Sequence, residues 1–88
     1  MKIRNGFILR DVAGKTFVVA TGELSKEFNG MITLNETGKF IWLLLQNDVT
    51  ENEIVEALMK EYECDDRKVV ESDVEKFVAL LKKDNVLE

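Results

Sequence analysis

Carboxylates are the side chains of this sequence whose types and spacing come closest to a pattern for chemistry. Several lie in close pairs, such as Glu51/Glu53, Asp65/Asp66 and Glu71/Glu75. Paired carboxylates can share the roles of general acid and general base when their surroundings separate their pKa values. Here the pairs fall at predicted helix starts or on predicted solvent-facing helix sides, where carboxylates improve solubility and complement the helix dipole. We therefore interpret them as structural.

The other residue types that carry chemistry are scarce. The chain has no histidine and a single cysteine, Cys64, so it lacks the commonest general base and the ligands of an ordinary structural zinc site. Acidic residues flank Cys64, and they raise the pKa of a thiol and argue against a reactive thiolate. No glycine-rich phosphate loop is present. The sequence therefore predicts a chain that is not an enzyme by itself and binds no cofactor or metal.

Length and charge narrow the possible partners. The 88 residues are expected to form one domain spanning 1–88. A net charge of −5 disfavours both nucleic acid and anionic membrane surfaces. The longest apolar runs, Phe17–Ala20 and Ile41–Leu45, are too short to span a bilayer, and the N-terminus lacks the apolar region of a signal peptide. We expect a cytoplasmic protein.

The first third of the chain is typical of β-structure. Residues Phe7–Val12 and Lys15–Thr21 alternate as two strands joined by the turn dipeptide Ala13-Gly14, which predicts an antiparallel hairpin. A polar loop over 22–30 leads to a short third strand, Met31–Leu34. A brief pairing of 25–28 with this third strand, across the Asn29-Gly30 turn, is also expected.

The remainder is typical of helices, and the first of them follows the third strand without a linker. Asn35 is a good N-cap residue, and Glu36 in the first turn suits the helix dipole. Gly38 costs up to about 1 kcal/mol relative to alanine at a helical position. It indicates either close approach by a neighbouring element or an exposed glycine that is merely tolerated.

Two further helices have clear boundaries. The stretch Thr50–Glu53 is a capping box for the second helix, and either Asp65 or Asp66 can cap the third. The third helix is predicted to end near Asp84. Asn85 then takes the left-handed position that follows a helix, which lets the next residue, Val86, close onto the last turn as in a Schellman motif.

The order of these elements favours an α+β fold of winged-helix type. It consists of a small three-stranded antiparallel sheet followed by three helices.

Several short stretches together resemble the PqqD family, coenzyme PQQ synthesis protein D. The resemblance rests on the run from Ile32 to Gly38, on Ile41-Trp42 and Leu44-Leu45, on the second-helix stretch 49–58, and on 74–81 in the third helix. It covers about 30–87 and, more loosely, the hairpin before it. The order and spacing of these short stretches together make the resemblance specific.

The resemblance implies a function as well as a fold. Members of this family are non-catalytic peptide-binding modules, the recognition elements of ribosomally synthesised and post-translationally modified peptides. They bind the leader of a precursor peptide as an added strand beside the third strand, against the third helix, and deliver it to a modifying enzyme, often a radical SAM protein. Carried onto this chain, the implied peptide-binding residues are Met31, Ile32, Thr33, Leu34, Val69, Val70, Asp73, Lys76 and Phe77.

The sequence is compatible with several alternatives. The apolar residues of the third helix can instead be core, and the pathway can be coenzyme PQQ synthesis or that of another peptide natural product. A winged-helix nucleic-acid binder would use the third helix, but acidic residues interleave with its lysines. A structural or dimerisation module is the other rival, because an exposed strand edge also permits a homodimer.

Overall fold

The computed structural model of the chain describes residues 1–27, 30–63 and 65–88. It contains three strands, β1 Phe7–Val12, β2 Lys15–Ala20 and β3 Met31–Leu34. Its helices are α1 Leu24–Glu27, α2 Glu36–Leu44, α3 Glu51–Glu61 and α4 Arg67–Lys83. The predicted α+β class, with an antiparallel three-stranded sheet followed by three longer helices, is confirmed.

The sheet has the order β1-β2-β3, so β2 is central and β3 lies at an edge. Ala13 and Gly14 join β1 to β2 with φ angles of 51° and 79°. Positive φ at both central residues is the geometry of a two-residue hairpin turn whose twist matches that of its strands. The predicted hairpin is confirmed, and β3 pairs antiparallel with the far side of β2.

One face of the sheet covers the helices. The register places Leu9 opposite Val18 and Val18 opposite Ile32, and because cross-strand partners share a face, these three side chains form an inward row. Val18 is fully buried, and the row packs into a core with residues of the three longer helices. The sheet's other face points away from the helices.

The segment after β2 differs from the prediction. Residues 25–27 belong to the single turn of α1 and do not pair with β3. Leu24, which is buried, packs so closely on Gly6 that a Cβ there would lie 2.7 Å from Leu24 Cδ1. This contact and the hydrogen bond from the backbone N–H of Ser25 to the carbonyl of Gly22 (3.1 Å) stabilise a helical turn. Phe28 and Asn29, the rest of the predicted pairing and turn, lie outside the described residues.

The helices begin where their capping residues predict. Asn35 Oδ1 accepts the backbone N–H of Gly38 at 2.7 Å at the start of α2. At α3, Thr50 Oγ1 accepts the N–H of Glu53 at 3.1 Å, and the Glu53 carboxylate accepts the N–H of Thr50 at 2.9 Å. Asp66, rather than Asp65, caps α4.

The end of α4 is a Schellman motif, as predicted. Asn85 has a φ of 59° and donates its backbone N–H to Lys82 at 3.1 Å. Val86 donates to the carbonyl of Leu81 at 2.9 Å, and both side chains are fully buried. The chain end therefore closes against the core. In the described part of the chain, no helix combines the length and apolar character needed to cross a bilayer.

The contribution of the α3 capping box to stability can be measured by substitution. Thr50→Ala removes the side-chain acceptor of the Glu53 N–H and should lower the free energy of unfolding by about 1 kcal/mol. Urea unfolding followed by circular dichroism measures it. Thr50→Ser keeps the hydroxyl and should stay near wild type. An alanine variant that unfolds at the wild-type urea concentration would show that the box contributes nothing.

Candidate functional site

Of the two edge strands of the sheet, β1 and β3, the one that runs directly into α2 is β3. No other strand of the described residues pairs with its outer side. Alternate residues of an antiparallel edge strand turn their N–H and C=O groups away from the sheet. The strand ends at Leu34, and the Asn35 cap turns the chain at once into α2. The edge is therefore held at a fixed place beside the helices.

A groove runs between this edge, the start of α2 and one side of α4. It consists of two adjoining depressions of about 370 and 330 Å³ that share Asn35, Gly38 and Phe77. We call the whole the β3–α4 groove. Ile32, Thr33, Leu34 and Leu80 complete the lining of the first depression, and Thr37, Ile41, Asp73 and Lys76 complete that of the second.

Gly38 forms the common floor of both depressions. It is buried, and a Cβ built on it would lie 3.2 Å from Asn35 Oδ1 and 3.5 Å from Phe77 Cε1. Its burial contradicts the interpretation of an exposed, tolerated glycine. The tightest contact of an added Cβ is with the cap oxygen of Asn35, whereas Leu34 and Phe77 lie at ordinary contact distance. A side chain at this position would crowd the helix cap and reduce the depth of the groove.

The chemistry changes along the groove. The depression next to β3 is mainly apolar, since Ile32, Leu34, Phe77 and Leu80 contribute to it. The depression next to α2 presents an amide, a hydroxyl and two opposite charges from Asn35, Thr37, Asp73 and Lys76. Asp73 and Lys76 make no ion pair within the described residues. Both charges are therefore available to a bound chain.

Six of the nine predicted site residues line this groove. They are Ile32, Thr33, Leu34, Asp73, Lys76 and Phe77. Within this set Leu34 is only 6% exposed and also belongs to the core. The structure therefore brings the predicted strand and the predicted helix face together.

The other three predicted residues lie elsewhere. Met31 is 61% exposed on the sheet face that points away from the helices, opposite Val19. Val69 is 52% exposed, one turn before Asp73 on the same side of α4, but beyond the lining of the groove. Val70 is buried in the core cluster, which leaves it little surface for a partner.

Sequence reasoning did not select five residues that line the groove, which are Asn35, Thr37, Gly38, Ile41 and Leu80. Leu80 had a usable signal. It follows Asp73 by seven positions and Lys76 by four, which is the spacing of one helix face. An apolar residue on the same helix face as the charged residues Asp73 and Lys76 is a candidate for contact with a partner.

A carboxylate ties the hairpin to the start of α2. Asp11 accepts a hydrogen bond from the Thr16 hydroxyl, and Lys39 Nζ lies 3.2 Å from its other oxygen. The Thr16 hydrogen bond first, and then Lys39, hold the pKa of Asp11 below its ordinary value. This link stabilises the fold above the unfolded-state pKa of Asp11 and is lost as the pH falls through the lowered folded-state pKa. It secures the hairpin against the helix that forms the groove floor.

In the part of the chain that the structure describes, no group of three or more His, Cys, Asp or Glu side chains is placed to hold a metal ion.

Comparison with known proteins identifies the family. A family model described as coenzyme PQQ synthesis protein D (PqqD) matches residues 7–87. The solved structure of TbiB1 in complex with the TbiA(beta) leader peptide is similar, with a TM-score of 0.77 and 27% sequence identity over 100% of this chain and 95% of that one. Among curated proteins there is no match. With 81 consecutive residues matched, this chain belongs to the PqqD family.

Proposed function

We propose that this chain binds the leader of a ribosomally made precursor peptide as an added strand beside β3 and presents it to a modifying enzyme. The observation that carries the proposal is the free β3 edge, which opens directly onto the β3–α4 groove. Membership of the PqqD family supports it. So does the similarity to TbiB1, a protein that was solved with a leader peptide bound.

The size of the edge shows why a groove is needed as well. β3 has four residues, so about two of them turn both backbone groups outward, for roughly four hydrogen bonds. At about 0.5–1.5 kcal/mol net each, these bonds contribute about 2–6 kcal/mol. Micromolar binding requires about 8 kcal/mol. Guest side chains that enter the groove must supply the difference, and alternate residues of an added strand point toward it.

In this role the chain is an accessory protein without a reaction of its own. It would act in the cytoplasm, where ribosomes make the precursor peptide. A radical SAM protein is the kind of modifying enzyme that the family resemblance suggests. Pairing of two copies through β3 would occlude the same edge, so we expect any homodimer to compete with the leader.

Nucleic-acid binding through α4 is not favoured. Arg67 at its start is already paired with Glu56 and lies 3.4 Å from Glu71. Glu71, Asp73 and Glu75 interleave with the remaining cations of this helix, which leaves no positive face for a phosphate backbone.

A titration of backbone amide signals tests the proposal. The ¹⁵N-labelled chain is mixed with the N-terminal segment of a candidate precursor peptide from the same genome, and with a scrambled peptide as control. We expect large shifts for residues 31–34 and for the α4 residues 73–80, and none with the scrambled peptide. Shifts confined to other surfaces, or no shifts at all, would refute this site.

A further inference from the structure

The face of the sheet that points away from the helices has an unusual composition. Because cross-strand partners share a face, the register assigns eight residues to what we call the outer sheet face, which are Ile8, Arg10, Val12, Lys15, Phe17, Val19, Met31 and Thr33. Five of these side chains are apolar. None belongs to the core cluster or packs against it.

The apolar side chains of this face are open to solvent. Val12 and Met31 are 59% and 61% exposed, and Ile8 is 37% exposed. Phe17 and Val19, on the central strand between them, are half-buried. A row of exposed apolar residues across all three strands is the kind of patch that marks an interaction surface.

The charge of the outer sheet face is opposite to that of the chain. Its charged residues are Arg10 and Lys15, both exposed, whereas the whole chain carries −5. Neither residue makes an ion pair with another of the described residues. The face is therefore apolar and positive, which complements a surface that is apolar and negative.

We propose that the outer sheet face docks an acidic, apolar-centred surface of the modifying enzyme. This inference rests on the proposed function, since it identifies where the enzyme meets the module. A leader added beside β3 would extend the same sheet to a fourth strand. Its alternate residues would then continue the outer sheet face next to Met31 and Thr33. The enzyme would thus contact module and leader on one continuous surface and bind the loaded module more tightly.

Charge argues against a second copy of this chain as the occupant. Face-to-face packing of two copies would bring Arg10 and Lys15 against like charges. Three strands spaced about 4.8 Å apart and about 20 Å long cover roughly 300 Å², far below the roughly 800 Å² per partner of a stable interface. A contact of this size is transient, as the delivery of a peptide requires.

Charge reversal tests the proposal. The variant Arg10→Glu/Lys15→Glu is compared with Lys60→Glu/Lys68→Glu, which changes the net charge equally at exposed positions of α3 and α4. The probe is a purified candidate modifying enzyme from the same genome, with and without the leader, at low and moderate salt. We expect the outer-face variant to bind the enzyme about tenfold more weakly or worse. The control should bind like wild type, and wild-type binding should weaken as salt rises.

Leader affinity, measured separately for every variant, separates this inference from the proposed function. Unchanged leader affinity together with lost enzyme binding supports docking on the outer sheet face. If the wild-type chain does not bind the leader, the proposed function is refuted instead. Equal enzyme affinity of both double variants, no enzyme binding by the wild type, or self-association through this face would each overturn the docking proposal.

Discussion

Leu80→Asp is expected to weaken leader binding about 100-fold while the fold remains intact. Leu80 is 46% exposed in the free chain and lines the apolar depression next to β3. Covering the exposed half of this side chain with a guest residue contributes about 1 kcal/mol. A carboxylate there loses that contribution and must also give up water when the guest binds. A total near 3 kcal/mol corresponds to about two decades in affinity, which isothermal titration calorimetry with the leader peptide measures.

Leu43→Asp is the matched control for this change. Leu43 is 50% exposed and lines a different depression, with Phe40 and Tyr62, on the side of α2 that faces the end of α3. The same substitution at similar exposure should leave leader affinity near that of wild type. If both variants lose affinity equally, the effect is one of charge rather than of position. If neither does, the groove is not the binding site.

Local signals in the sequence predict most of the element boundaries. Asn35, Thr50 and Asp66 each accept a backbone N–H at a helix start, and Asn85 takes positive φ at a helix end. A capping residue acts on groups three positions away, so its neighbours in the sequence contain the relevant information. The hairpin turn at Ala13-Gly14 is predictable for the same reason.

Features that depend on contacts between residues far apart in the sequence are harder to predict from the sequence. The α1 turn rests on Leu24 packing against Gly6, a contact that strand and turn propensities do not reveal. Whether Val69 or Val70 faces the core depends on the rotation of α4, which its packing on α3 and the sheet decides. Adjacent residues on a helix point about 100° apart, so the sequence alone does not decide which of the two valines faces the core. In the structure Val70 is the buried one.

The candidate site combines both kinds of information. The family resemblance predicts which strand and which helix meet, and the structure brings Thr33 and Phe77 into one groove. Gly38 is an example of a residue that needs both the sequence and the structure to be understood. Its cost to helix propensity is visible in the sequence, but its burial and the 3.2 Å that would separate an added Cβ from Asn35 Oδ1 appear only in three dimensions.

Proline substitutions in β3 should abolish leader binding at one position and disrupt the sheet at the next. Backbone groups alternate along the strand, so one of Ile32 and Thr33 donates its N–H toward β2 and the other donates it outward. Proline removes the donor. Of Ile32→Pro and Thr33→Pro, the variant that loses the outward donor should keep its helices and thermal transition. It should nevertheless lose leader binding beyond detection, because its ring also blocks the approach of the guest strand.

Hydrogen exchange of the free chain shows in advance which variant this is. The amide bonded to β2 exchanges slowly, and the outward amide exchanges fast until the leader protects it. Ile32→Ala and Thr33→Ala control for the loss of each side chain, which matters most for Ile32 because it packs against the core. Circular dichroism measures folding, and calorimetry measures leader affinity. A proline variant at the outward position that folds and still binds the leader with wild-type affinity would exclude strand addition at β3, whatever the groove contributes.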